Sequence, residues 1–157
     1  SIAFAQSCEF MLKKDTLLDP KHLQVDIYVK ATGESFYYGL AQYKIQFSEA
    51  FANRGTITVT VVPDISELSN AVQVPKSVIQ PGEDGNSFRI NPSSIPKKQT
   101  NCSKISNSGI GTLICRVILE NTKDFAKVPH GLTIVTSGIG ATAVFFMNEQ
   151  NLLTVTR

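Results

Sequence analysis

A chain of 157 residues with 42% hydrophobic and 18% charged side chains can bury one sizeable core without covalent staples. Its 15 basic and 13 acidic residues leave a formal charge of +2, too small and too scattered for a nucleic-acid-binding surface. No apolar run approaches the length of a membrane-spanning helix, which argues against membrane insertion.

The chain opens with Ser1-Ile2-Ala3-Phe4-Ala5-Gln6. Small residues at the first and third positions of Ala3-Phe4-Ala5 suit the pocket of a signal peptidase, making residues 1–5 the remnant of an export signal. The alternative is that Ile2 and Phe4 begin a strand, one that a neighbour could accept. Residues 6–157 are expected as a single domain.

Apolar side chains then recur with a period of two, as in strands with one wet face. Cys8–Leu12 shows this weakly. Leu23–Lys30 shows it clearly, with Leu23, Val25, Ile27 and Val29 apolar, and Ala41–Phe47 and Thr56–Val61 repeat it. The stretch Ile65–Val72 is the one place for a helix, about two turns long. Phe88–Ile90 adds a short strand. Gly111–Glu120 is apolar on both parities, as in a strand covered on both sides. Leu132–Thr136, Thr142–Met147 and Leu152–Thr156 complete the set. Turn formers separate them at Asp19-Pro20, Thr32-Gly33, Asn53-Arg54-Gly55, Pro81–Gly85 and His130-Gly131. The expectation is an all-β, two-sheet antiparallel β-sandwich of jelly-roll type, with about eight or nine strands and at most one short helix.

Catalytic chemistry finds few footholds. His22 and His130 lie in turn-like surroundings, and the usual zinc and calcium spacings are missing, so no metal and no cofactor are expected. Ser108-Gly109-Ile110-Gly111 recurs as Ser137-Gly138-Ile139-Gly140, but strand-like runs follow both copies. A phosphate cradle needs a helix there, so both read as turns. The carboxylates do not suggest a facing pair. No enzyme activity is expected.

The cysteines carry more information. Cys8 and Cys115 fall on the apolar parity of their strands, as inert core thiols would. Cys102 lies in the polar stretch Gln99–Lys104, where an exported protein would pair it. Bridging Cys102 to Cys115 closes a loop of about a dozen residues, and the chain-entropy model assigns about 3 kcal/mol to that closure. Cys8 is the other available partner.

A resemblance covers most of the chain. Leu23–Pro63 (LQVDIYVKATGESFYYGLAQYKIQFSEAFANRGTITVTVVP) resembles the first half of a cohesin-like domain common in secreted proteins of Bacteroidota. Its order is a strand, a Thr/Gly turn, an aromatic pair, an alternating strand and an Asn-x-Gly turn. Gly109–Phe125 (GIGTLICRVILENTKDF) is similar to the family's penultimate region, and Ala3–Leu18 (AFAQSCEFMLKKDTLL) to its opening after a signal peptide. The Pro/Lys-rich stretch Pro75–Lys104 departs from the usual layout, and the sorting domain that ends many relatives is not seen before Arg157.

The resemblance implies an extracellular or cell-surface attachment and assembly module of the cohesin/carbohydrate-module type, with a protein partner or self-assembly. It also implies O-glycosylation at Thr16, because Asp15-Thr16-Leu17 fits the acceptor pattern of exported Bacteroidota proteins. Two alternatives accompany this reading. A filament or surface-layer subunit would add a strand to a neighbour's edge, with Thr56–Val62 or Leu152–Thr156 as acceptor. A carbohydrate-binding module would stack polysaccharide rings on exposed aromatics, with Tyr28 pointing out of the core and Phe36, Tyr37 and Tyr38 as a turn-borne platform.

Overall fold

The computed structural model describes residues 6–79 and 85–156. The expected signal remnant or donor strand, residues 1–5, lies outside the described residues, as does most of the turn at 81–85.

The alternating segments form β1 (Cys8–Asp19), β2 (His22–Ala31), β3 (Phe36–Gln46), β4 (Ile57–Val61), β5 (Val78–Ile79), β6 (Ser87–Ile90), β7 (Lys104–Ile105), β8 (Thr112–Asn121), β9 (Thr133–Ile134), β10 (Ala143–Met147) and β11 (Leu153–Val155). They build two antiparallel sheets. One has the order β1-β2-β8-β4; the other runs β11-β10-β3-β6-β5, with β7 and β9 also paired to β3. The protein is therefore an all-β sandwich, as its periodicity predicts. The eleven described strands exceed the expected eight or nine because β5 and β7 are two-residue ladders that pattern alone cannot resolve, whereas β9 falls within the expected Leu132–Thr136.

The apolar parity faces inward as expected. Leu23, Val25, Ile27 and Val29 of β2 oppose Ala41, Tyr43 and Ile45 of β3 across one core, and all are buried. Removing side chains of this kind from water contributes about 1.5–3 kcal/mol each. The doubly apolar β8 has a local cause. Its pairing to β2 passes from Cys115 opposite Ile27 to Leu113 opposite Tyr28, leaving Ile114 as an extra, bulged residue. A bulge lets neighbours in sequence share a face, and Ile114 and Cys115 are both fully buried.

The helix expected at Ile65–Val72 does not form. Beyond β4, this segment takes the free edge of β8: the Glu67 N–H donates to the Leu113 carbonyl (2.8 Å), and the Leu113 N–H donates to Glu67 Oε1 (2.8 Å). Ser66 Oγ accepts the Leu68 N–H at 3.1 Å, satisfying locally a donor that a helix would use. Only a 3-10 turn at Ala71–Gln73 remains, capped by Asn70. Its Gln73 is fully buried, donating to the Tyr38 carbonyl (2.6 Å) and accepting the Ser103 N–H (2.7 Å).

Both Ser-Gly-Ile-Gly copies are turns. Gly109, Gly111, Gly138 and Gly140 all have positive φ, and β8 and β10 follow. At Gly111 (φ 89°) a Cβ would stand 2.4 Å from the Val29 carbonyl oxygen, so only glycine fits there.

Candidate functional site

A concavity lined by both sheets runs along one side of the sandwich. It is a groove of about 860 Å³. On one wall β1 presents Cys8, Phe10 and Leu12; on the other stand Leu132, Thr133 and Ile134 around β9, Val144 of β10, and Val155 and Thr156 at the end of β11. Phe10 and Leu12 lie on the core parity of β1 yet are only half-buried. The Phe10 ring meets Tyr43 edge-on at 6.2 Å between centroids, so the groove floor is continuous with the core. One contact joins its two walls: Cys8 Sγ lies 3.4 Å from Thr156 Oγ1. Farther along β1, outside the lining, Asp15 Oδ2 lies 2.5 Å from His130 Nε2. The hydrogen bond from His130 lowers the Asp15 pKa.

Strand order puts edges on both sides of this groove. β1 ends the four-stranded order and β11 the other sheet's path. Leu152, Leu153 and Val155 are exposed there, which supports the expectation of little protection along Leu152–Thr156. The other expected edge, β4, also ends its sheet, but Ile57 and Val59 have further interactions.

The expected aromatic platform is not assembled. Phe36 and Tyr38 are 2% exposed, because β3 begins at Phe36 instead of leaving a turn there. Tyr38 instead shares a hydrogen bond of 2.8 Å with the buried Tyr43 hydroxyl. Tyr37 is half-buried beneath Lys104, whose Nζ sits 5.4 Å from the ring centre. Tyr28 does point away from the core, but it is 6% exposed. Beside it Arg116 donates two hydrogen bonds to Asp26, Nε to Oδ1 at 2.6 Å and Nη2 to Oδ2 at 3.0 Å, and Asp26 has no exposure at all.

The cysteines are not brought together: Cys8, Cys102 and Cys115 are all free thiols. Cys102 is buried, contrary to its polar sequence context, with Sγ 3.8 Å from Met147 Sδ. Cys115 lies in the core, where burial pushes its pKa up to about 12. Burial raises that of Cys8 too, against a lowering by Thr156.

Thr16 is exposed, as a modification site requires. It lies within β1 and not in a linker: the strand breaks register between Lys13 and Thr16, with Lys14 at φ 51°, and then continues opposite β2. His22 stands between Asp19 (2.8 Å) and Glu120 (3.0 Å). Its hydrogen bond to Asp19, then that to Glu120, raises its pKa. Among the described residues, no three His, Cys, Asp or Glu side chains converge to hold a metal ion, and no helix is long and apolar enough to cross a membrane.

The groove itself is absent from the sequence-derived candidates. Its signal is the short Cys8–Phe10–Leu12 alternation, but the facing wall comes from Leu132–Val144 and the end of β11, which no local pattern connects to β1. No protein-family model and no curated protein sequence matches the chain.

Proposed function

We propose that this protein is a non-catalytic attachment and assembly module acting at the cell surface or outside the cell, with a protein as its partner. The observation that carries this reading is the groove: half-buried apolar side chains between strand edges suit an extended polypeptide, which supplies both main-chain hydrogen bonds and apolar side chains. The two-sheet architecture and the similarity of Leu23–Pro63 to cohesin-like domains support it further. O-glycosylation at the exposed Thr16 belongs to the same proposal.

A second reading, the subunit of a filament or surface layer, is favoured by the exposed edge at Leu153–Val155 beside the groove. Cys8 and Thr156 meet there, so the start of β1 lies next to that edge. The carbohydrate-binding alternative loses its structural support with the burial of Tyr28, Phe36 and Tyr38.

Mass and sedimentation analysis of protein from its native source tests the proposal. A stable complex or polymer is expected, together with a glycan on the peptide containing Thr16. A monodisperse, partner-free monomer overturns the assembly reading, and an unmodified peptide ends the glycan claim.

A further inference from the structure

We infer that the groove between β1 and β9–β11 is an acceptor for residues 1–6 of a second copy of this chain, which adds as a strand to β1 with Ile2 and Phe4 turned inward. The inference rests on the assembly reading above and names its partner segment.

Three observations carry it. The first is chemical fit. Ile2 and Phe4 alternate with Ser1, Ala3 and Ala5, so an extended segment presents two large apolar side chains on one face and small ones on the other. The groove offers Phe10, Leu12, Leu132 and Ile134, all half-buried, and among the described residues Glu9 is the one charged side chain in its lining. The segment has no charged side chain, so inserting it desolvates no unpaired charge on the incoming strand.

The second is hydrogen bonding. Among the described residues β1 is paired along one edge alone, to β2, so its other edge can take a strand. The third is direction. The Thr32 N–H donates to the Ser7 carbonyl at 3.1 Å, continuing the β1–β2 ladder one residue beyond Cys8. The chain therefore enters β1 from outside the Cys8 end of its own groove. To fill that groove itself it would have to reverse within Gln6-Ser7, where Ser7 is already held in the ladder. Six extended residues reach about 20 Å, enough to lie along a neighbouring molecule.

Cys8 supplies the test, because it lines the groove half-buried while Cys102 and Cys115 are buried. The acceptor is the full chain carrying Phe4→Asp, a change outside the described residues that disables its own donor. The probe is the acetylated, amidated hexapeptide of residues 1–6. At about ten times its dissociation constant the peptide should slow Cys8 alkylation about tenfold, with site assignment by peptide mapping. The same peptide with Phe4→Asp, or with Ile2 and Phe4 moved to adjacent positions, should leave the rate unchanged. Absence of protection, or equal protection by all three peptides, overturns the inference. Sedimentation of the unsubstituted chain is the separate arm for the assembly reading. If it associates while the peptide gives no protection, assembly stands and this partner segment falls. If it associates and Phe4→Asp abolishes association, both stand.

Discussion

β1 and β2 are the two arms of one hairpin, and both alternate apolar with polar residues, yet they end up in opposite environments. In β2 every side chain is buried or half-buried, including Asp26 on the outer face. In β1 every residue from Lys13 to Asp19 is exposed, including Leu17 and Leu18 (49% and 53%). Alternation tells which face a side chain takes. Depth comes from position in the sheet: β2 lies between β1 and β8, whereas β1 is an edge over an open groove.

The sharpest way to break this comparison is a carboxylate placed on each arm. Ile27→Asp puts an unpaired charge in the core and should cost about 4 kcal/mol or more, which urea denaturation would read as loss of the folded baseline. Leu17→Asp on β1 and Gln24→Asp on the outer parity of β2 should stay within about 0.5 kcal/mol. Equal losses at Ile27 and Gln24 would refute the face assignment.

The next largest effect probes the covered outer face of β2. Arg116→Met leaves the Asp26 carboxylate buried without its two hydrogen bonds and should cost about 3–5 kcal/mol. Lys13 stands opposite Asp26 on β1 but is exposed, so Lys13→Met should be nearly silent. A comparable loss at both positions would show that Lys13 shares the neutralising role.

The smallest effect lies at the turn joining the arms. Because folding raises the His22 pKa, its contribution is fully present below the pKa of the unfolded chain and is lost as pH rises through the folded value. The ring-proton resonance of His22 should titrate above the ordinary histidine value. His22→Asn should flatten the corresponding fall in thermal midpoint between mildly acidic and mildly alkaline pH. An unshifted titration would break the Asp19–His22–Glu120 contact. As the His22 side chain is 34% exposed and both carboxylates stand in solvent, the change in midpoint is expected to be slight.

Legibility in the sequence followed the same division. Leu23–Val29 and Ala41–Phe47 could be read because each has one buried and one polar face. The continuation of β1 through Thr16 could not, since an exposed edge imposes no apolar period and the Lys14 break hides the register. Ile65–Val72 misled because its helical spacing is overridden by hydrogen bonds to Leu113, a partner 46 residues from Glu67. Phe36 and Tyr38 read as a turn platform because they follow the Thr32-Gly33 turn, whereas tertiary packing draws them into β3. Cys102 looked exposed because its neighbours in sequence are polar, and its cover, Met147, arrives from β10. The groove was the least legible feature, being assembled from segments far apart in the chain.

The Tyr38–Tyr43 hydroxyl pair gives the protein an optical gauge of its own integrity. The chain has four tyrosines and no tryptophan, so phenolate formation dominates its ultraviolet difference spectrum in alkali. Burial, as the largest cause, lifts the pKa of both members of the pair. The neutral phenols therefore support the native state below their unfolded pKa, and that support is withdrawn as pH climbs above it. Phenolate absorbance from these two rings should rise in a single step with sandwich opening, and a Tyr38→Phe/Tyr43→Phe chain should lose that step.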